Sequence, residues 1–511
     1  MHHRLRPRLL ALALLAVLLL PLAACRGGSP EAPRVEPLPA QSNLLLITVD
    51  TLRADHLSSY GYPRQTSPVI DRLAAEGVRF DQAAVQWPKT TPSFASMLTA
   101  TYSKDNDIVR KVGIPLPCEF EMLAEKLRAQ GYTTHAVVSN GAIGSDFYFD
   151  QGFDTYIETW KLEHGGQPGS DPNSAEAVTR LAVGLLDKIS KSGKPYFLWV
   201  HYIDPHFPYT PPGEYADRFQ NDAHFDASKK IPVYDKPRQQ MTGIGQEQIL
   251  DGRDELAFYV ARYDAEIAYN DHSIGVLLAE LQKRGLMKKT LTAFTSDHGE
   301  SLGEHEYYFD HGRFSFQTCL RVPLILHYPG VLTPRVDKEP VELLNLAPTF
   351  LEAAGIELPD GVWKQGRSLT PRLRGQEMPS TVGEKGDGPA PSLSQPGLAF
   401  SEAGWETNNK WQKVVRDRRF KLIFAQTRPD QRWIGGEGVR FTLYDLENDP
   451  GETKNVADQF PQEVERLTKA LWAWDRAPRF DVKTDKIGGP CGDQRSMDEE
   501  TRKLLKSLGY L

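Results

Sequence analysis

Apolar runs of strand length alternate with amphipathic stretches through the middle of the chain. Residues 44–49 (LLLITV) are almost continuously apolar, the pattern of a strand covered on both faces rather than on one. Ser67-Pro68 opens a helical pattern running to Ala75, with a small polar N-cap and proline at the first helical position, and Gly77 closes it. Residues 120–130 carry a helical period that stops at Gly131, and residues 133–139 read as a strand. Residues 175–189 are helical, 196–202 (YFLWVHY) form a buried strand, 255–284 a long helix, and 290–296 and 322–327 two more strands. This β-α-β order predicts an α/β fold with a mostly parallel central sheet flanked by helices, because parallel neighbours need crossovers that pack on the sheet faces.

The pattern breaks at residues 377–396, a low-complexity stretch rich in Pro, Gly and Ser that reads as a linker. Beyond it, residues 414–424 and 441–446 read as two strands and 463–474 as a helix. They predict a small C-terminal α+β subdomain over residues 397–480, followed by a tail at 481–511. At the other end, Arg4, Arg6 and Arg8 precede an apolar run at residues 9–20 and then Leu22-Ala23-Ala24-Cys25. That run is shorter than the ~20 residues needed to span a bilayer. A basic start, a short apolar run and small residues form a secretory signal, and the cysteine at the cleavage position resembles a bacterial lipobox. Residues 1–24 thus read as a lipoprotein signal peptide, Cys25 as the lipidated residue, 25–42 as a flexible tether and 43–376 as a catalytic domain. The expected location is the bacterial cell envelope, with the membrane reached through the lipid anchor.

Acidic residues outnumber basic ones, 67 to 60, and no basic block occurs, so nucleic acid is not an expected partner. Besides Cys25, only Cys118, Cys319 and Cys491 remain; they allow at most one bridge, and no Cys-x-x-Cys pair suggests structural zinc.

In open α/β sheets, ligands gather at the carboxyl ends of the strands. Asp50 directly follows the first strand; His201, Asp204 and His206 end or follow another; Asp297 and His298 follow a third. In WPKTTPSFASMLT, Thr90 and Thr91 precede a helix expected to start near Ser93. One acid at a strand end more often caps a helix than binds a metal, but three acid- or histidine-bearing ends on one sheet are harder to explain as caps. Two carboxylates and an imidazole make a shell for a divalent metal. A hydroxyl at a helix N-terminus lies where backbone N–H groups favour an anion. Together they suggest attack by a metal-activated hydroxyl on a tetrahedral oxyanion ester.

The ordered motifs resemble the sulfatase family of the alkaline-phosphatase-like superfamily. They are Asp50-Thr51-Leu52-Arg53-Ala54-Asp55, Pro92-Ser93, Asp204-Pro205-His206-Phe207-Pro208-Tyr209, Ser296-Asp297-His298-Gly299-Glu300 with Gly303-Glu304-His305, and Leu320-Arg321-Val322-Pro323-Leu324-Ile325-Leu326. Residues 414–424 and 443–457 are similar to that family's C-terminal subdomain, so the resemblance covers roughly residues 43–475. It implies an alkaline-phosphatase-like fold and a metal-dependent ester hydrolase. The departures matter equally. The family oxidises a cysteine or serine to formylglycine, whereas this chain has Thr90 there, and oxidised threonine would be a ketone, so no formylglycine is expected. Phe94 replaces the motif arginine, Thr51 the second acidic ligand, and His298 the usual asparagine.

An imidazole and a hydroxyl in the shell favour Mn²⁺ or Zn²⁺, with Ca²⁺ or Mg²⁺ as alternatives. By likeness to threonine-using phosphoryl-transfer relatives, Asp50, Thr90, Asp297 and His298 would hold one metal, and Thr90 would attack phosphorus. A second metal would need an Asp-x-x-x-His pair, and Asp204 has Pro208 four residues on. His206 and His311 are the candidates for binding the transferred group or protonating the leaving oxygen. His201 and Asp204 would orient His206, His305 holds a frequent family position, and Lys89 either replaces the lost arginine charge or faces solvent. The expected activity is cleavage or transfer of a phosphate or phosphonate ester on an anionic glycan or lipid head group. Sulfate-ester hydrolysis is one alternative, and an inactive glycan- or lipid-binding protein is another.

Overall fold

The computed structural model describes residues 36–106, 108, 115–162, 171–224, 226–235, 243–378, 395–405, 410–425, 441–478 and 495–508. The expected signal peptide and Cys25 lie outside them, as do most of the tether and of the 377–396 linker. Among the described residues the central sheet has eight strands: β1 Asn43–Val49, β2 Val78–Ala84, β3 Thr133–Val138, β4 Thr155–Glu158, β5 Tyr196–Tyr202, β6 Thr290–Ser296, β7 Arg321–His327 and β8 Arg335–Glu342. Their order is β8-β2-β7-β6-β1-β5-β3-β4. From β6 through β4 every neighbour is parallel, as are β8 and β2, whereas β7 runs antiparallel to both β2 and β6. The sheet is mostly parallel, with β7 as the exception.

Side chains along β1 alternate between two cores. Leu44 and Leu46 enter one, and Leu45, Ile47 and Val49 enter the other. The helices are α1 Pro68–Glu76, α2 Thr90–Thr99, α3 Leu123–Ala129, α4 Ala175–Ser192, α5 Leu256–Lys283, α6 Leu346–Ala353, α7 Pro461–Arg476 and α8 Glu499–Ser507. α1, α4 and α5 bury Leu73, Leu186 and Leu277 in the second core. α2, α3, α6 and α8 bury Phe94, Leu127, Phe350 and Leu505 in the first. This is why β1 reads as a continuous apolar run. Among the described residues no helix is long and apolar enough to cross a membrane. Cys118 is disulfide-bonded and Cys319 is a buried free thiol.

The C-terminal part forms a four-stranded antiparallel sheet, β9 Ala399–Trp405, β10 Lys410–Arg416, β11 Phe420–Ala425 and β12 Phe441–Asp445. Leu467, Leu471 and Trp474 of α7 pack with Phe400, Leu422 and Leu443 of this sheet. The sheet is tied to the loop after His311 at several points, among them Gln412, which accepts from Ser315 N at 2.9 Å and Ser315 Oγ at 2.6 Å. Gly404 N–H donates to Gly312 O at 3.1 Å, and buried Lys421 reaches both Ser315 O and Glu452, 2.6 Å away.

Local chemistry shifts several expected boundaries. The run at 414–424 is not one strand but a hairpin: Asp417 accepts from Arg419 N (2.8 Å) and Phe420 N (2.6 Å) and turns the chain. The helix expected over 120–130 starts at Leu123, because Glu125 accepts the Met122 N–H at 2.8 Å and fixes the cap there. α2 starts at Thr90, three residues earlier than expected; Lys89 is the extended N-cap, and Pro92 sits in the first turn, where its missing N–H costs no helical bond. β2 and β8 carry too many polar residues to show as apolar runs.

Ser67 stands at the N-cap of α1, but its hydroxyl accepts no helix amide. Asp271 of α5 takes that duty, accepting from Val69 N at 3.0 Å and Ile70 N at 2.8 Å. Asp271→Ala is therefore expected to lower stability by about 1–2 kcal/mol, read from a urea unfolding curve. An unchanged midpoint would show that Ser67 caps the helix after all.

Candidate functional site

Parallel pairing in register decides what meets at the carboxyl end of the sheet. Val49 lies opposite Ser296 on one side and Tyr202 on the other, so Asp50 and Asp297 leave adjacent strands at the same level. One ligand atom each from Asp50, Asp297 and His298 lies within 4.8 Å of the others. His298 Nε2 stands 3.4 Å from Asp297 Oδ2 and 3.8 Å from Asp50 Oδ1. All three residues are 0% exposed, as is Thr90.

Each of the three has one side tied and one side open. Asp50 Oδ2 accepts from Asn140 Nδ2 at 2.6 Å. Asp297 Oδ1 accepts from the amides of His298 (3.0 Å) and Thr51 (3.3 Å). His298 Nδ1 lies 3.0 Å from Gly299 O; a carbonyl only accepts, so the proton is on Nδ1 and the Nε2 lone pair is available. The open atoms Asp50 Oδ1 and Asp297 Oδ2 are buried and make no hydrogen bond. Thr90 Oγ1 lies 3.2 Å from His298 Nε2 and also meets the Asp297 carboxyl. Two carboxylate oxygens, an imidazole nitrogen and a hydroxyl thus converge on one point, and the unpaired oxygens suit a divalent cation.

The electrostatics agree. Burial works to raise Asp50, but adjacent His201, His206 and His298 pull its carboxyl down to about 2. Burial and then the Asp50 charge push Asp297 well above the carboxylate range. Burial lowers His298 to about 4, so its ring is neutral near pH 7. Metal-free, one carboxylate is ionised and its neighbour keeps a proton.

The surrounding side chains fix this arrangement. Trp199 Nε1, which can only donate, gives its hydrogen to Thr48 Oγ1 at 2.9 Å. Thr48 Oγ1 lies 3.0 Å from His201 Nδ1, and donating there leaves His201 Nε2–H toward Asp50 Oδ2, 3.4 Å away. Thr91 Oγ1 donates to Ala142 O at 2.9 Å and Ser93 Oγ to Asp297 O at 2.6 Å, pinning the start of α2. Phe94, at the motif arginine's position, is buried with ring centroids 5.0 Å from both Trp199 and His201.

Of the accessory residues, the structure brings some to the site and not others. The His311 ring lies 4.1 Å from that of His298 and 5.3 Å from that of His206. His206 Nδ1 donates to Phe207 O at 2.7 Å, and His311 Nδ1 meets Glu300 Oε1 at 3.0 Å. Lys89 is half-buried rather than solvent-facing; its stem passes 3.5 Å from where a Cβ on Gly312 would lie, next to His311. His201 serves Asp50 and not His206. Asp204 turns to the start of α4, where Ala175 N–H donates to it, and burial and then the Asp171 charge raise it to about 7. His305 is exposed, with φ 54°, and stacks on Phe316 at 3.6 Å outside the metal group. Two residues escaped the sequence reading. Asn140 lies two residues beyond β3, after Ser139, so it falls in the strand-end region where Asp50 was sought. Glu300 stood inside a quoted motif without a role. Arg53 of the first motif is structural, donating to Asp55, Glu304 and Glu300 O and lacing two site loops together.

Residues 42–356 match the family described as Sulfatase. The ulvan-active sulfatase of Formosa agariphila is 26% identical over 66% of this chain and 66% of its own, so that match spans just under two thirds of the relative. The N-acetylglucosamine-6-O-sulfatase of Bacteroides thetaiotaomicron is 25% identical over 86% of this chain and 87% of its own. A structure solved in complex with D-glucosamine-2-N,6-O-disulfate shares the fold with a TM-score of 0.66 and 21% identity, covering 88% of this chain and 100% of the other. The phosphonate monoester hydrolase of Agrobacterium radiobacter does so at 0.63 and 22%, covering 85% and 95%. The chain belongs to the sulfatase family and is an ester hydrolase of that family.

Because Asp297 keeps a proton beside ionised Asp50, a divalent cation entering this group must displace it. Mn²⁺ or Zn²⁺ uptake is expected to release about one proton, so affinity rises with pH until Asp297 is ionised without metal. Calorimetric titration in buffers of different ionisation enthalpy reads the proton count, and a buffer-independent heat would refute it. His298→Ala should abolish stoichiometric uptake in the same titration.

Proposed function

We propose that this sulfatase-family enzyme cleaves or transfers a phosphate or phosphonate ester, with Thr90 as nucleophile. The observation that carries this reading is the convergence of Thr90 Oγ1 with His298 Nε2 and the unpaired oxygens of Asp50 and Asp297. Asp50, Thr90, Asp297 and His298 would hold one divalent ion, Mn²⁺ or Zn²⁺ in view of the imidazole. When bound, such an ion lowers the hydroxyl's pKa and offsets charge on the transferred oxygens. Threonine carries a methyl where the family's precursor side chains have none, so a formylglycine route is closed to it.

Thr90 Oγ, its proton lost to solvent, attacks phosphorus in line with the ester oxygen. The P–O ester bond breaks and its electron pair leaves with the alcohol oxygen, which takes a proton from His206 or His311. Water or an acceptor alcohol, giving its proton to the now neutral histidine, then attacks phosphorus; the P–Oγ bond breaks with its electron pair on Thr90, releasing phosphate, phosphonate or a new ester and restoring the Thr90 oxyanion. The first turn of α2 places its positive dipole end behind the incoming anion. The substrate class is a phosphorylated or phosphonylated glycan or lipid head group in the cell envelope, where Cys25 would anchor the enzyme. Cys25→Ser should move it from the membrane to the soluble fraction.

A second reading is sulfate-ester hydrolysis by unmodified Thr90, which the sulfatase names of the curated relatives favour. The two separate in one panel: p-nitrophenyl phosphate, bis-p-nitrophenyl phosphate, phenylphosphonate esters and p-nitrophenyl sulfate, each with Mn²⁺ or Zn²⁺. Phosphorus esters are expected to turn over faster; a faster sulfate ester would decide for the second reading. Thr90→Ala should fall to background with its thermal unfolding unchanged. His206→Ala and His311→Ala should each lower kcat by about 10²- to 10⁴-fold if each donates the leaving-group proton, and least for p-nitrophenolate, which needs no proton to leave.

A further inference from the structure

Helix α8 lies well beyond the family-matched segment, yet it packs against the turn that follows Asn140, the residue that donates to Asp50. Its N-cap Asp498 accepts the Thr501 N–H at 2.7 Å. Its inner residues meet Gly141, the residue after Asn140. A Cβ on Gly141 would lie 3.3 Å from Leu504 Cδ2, 3.4 Å from Thr501 Cγ2 and 3.5 Å from Leu505 Cγ. Gly141 is not among the residues in the left-handed region, so close approach of the helix, rather than backbone conformation, explains the glycine.

Polar ties hold the same segment from outside. Trp160 Nε1 donates to Thr501 Oγ1 at 3.1 Å, and Asp498 N donates to Asp146 Oδ2 at 3.1 Å. Arg495 Nη1 donates to Ser145 O (2.8 Å) and to Asp150 Oδ1 (2.7 Å). On the inside, the turn Gly141–Ile143 has two duties. Ala142 N donates to Asn140 Oδ1 at 2.9 Å, which fixes the amide so that its NH₂ faces Asp50. Ala142 O accepts from Thr91, the neighbour of Thr90.

We propose that α8 is a clamp that positions the metal site, pressing the Asn140–Ile143 turn where Asn140 orients Asp50 and Ala142 holds the first turn of α2. Thr501, Leu504 and Leu505 are its positioning residues. The proposal rests on Asp50 being a metal ligand, and on nothing about which ester is cleaved.

The test is a double-mutant cycle on Mn²⁺ affinity in the full chain, by calorimetric titration. Asn140→Ala removes the last link and should weaken affinity about 10- to 100-fold. Leu505→Ala should weaken it roughly 2- to 30-fold, and the double variant should be no weaker than Asn140→Ala alone. Lys503→Ala, on the exposed face, should match wild type. If Leu505→Ala fails to fold, Thr501→Val runs the same cycle, since it removes only the hydroxyl that Trp160 meets. Unaltered affinity in the α8 variants, or losses that multiply with Asn140→Ala, would overturn the clamp while leaving the metal site standing. A wild-type chain that takes up no Mn²⁺ or Zn²⁺ would overturn both.

Discussion

Two carboxylates face each other inside this protein with one oxygen apiece unpaired, and the architecture around them follows from that repulsion. Like charges a few ångströms apart in a medium of low effective dielectric cost several kcal/mol unless a proton or a cation intervenes. Asp50 and Asp297 cannot move apart, because each directly follows a strand and the strands are neighbours in register. The metal-free site responds with a proton on Asp297. A divalent ion would answer the same constraint, and His298, already neutral and presenting Nε2, would add a third ligand.

What keeps the repulsion from distorting the site is a set of polar partners on the far side of each ligand, donors to the carboxylates and an acceptor to the imidazole. Asn140 and His201 hold Asp50, two amides hold Asp297, and a backbone carbonyl holds His298. These groups come from the loops after β1, β3 and β6 and from the last residues of strand β5, so several strand ends along the carboxyl edge of the sheet contribute. Outer partners of this kind fix ligand orientation as firmly as the ligands fix the ion. α2 belongs to the same assembly, since Thr91 and Ser93 bond loops from two different strands. The position of Thr90 is therefore a property of the sheet as much as of its own helix.

The strand ends were legible in the sequence because a strand buried on both faces must be apolar until it emerges, so the first polar residue marks the edge. Asp50, Asp297 and His298 were found that way; after β3 the first polar residue is Ser139, and Asn140 stands one place further on. Other features left no such mark. β8 is a polar edge strand, and the 414–424 run hides a hairpin because Asp417 turns the chain without glycine or proline. His305 and Asp204 share motifs with site residues, but spacing along a motif does not fix direction. His305 turns outward through a positive φ, and Asp204 turns toward the start of α4. Proximity of His311 to His298 depends on a loop of more than ten residues folding back, which no local pattern encodes.

Charge then narrows what the proposed chemistry suits. A divalent ion held by two ionised carboxylates and the Thr90 alkoxide would leave the centre with one net negative charge, and Phe94 brings no compensating charge where an arginine would have stood. The cationic groups around His311 are His206, Arg313 and the half-buried Lys89, the last two also acting on Asp310. Burial, and then the charges of His298 and His206, hold His311 well below the usual imidazole range, so it cannot stay protonated near pH 7 without an anion beside it. A transferred group bearing one negative charge can supply that anion and be matched by Lys89 together with one protonated ring. A group bearing two would need both rings charged at 5.3 Å from each other, against the repulsion that already lowers His311. On this reading the site suits phosphate diesters and phosphonate monoesters better than phosphate monoesters. The same single charge is carried by a sulfate ester, so charge alone leaves the two readings level. What separates them is the nucleophile, since an alkoxide of threonine meets the monoanionic phosphorus centre without the aldehyde hydrate on which the family's sulfate chemistry relies.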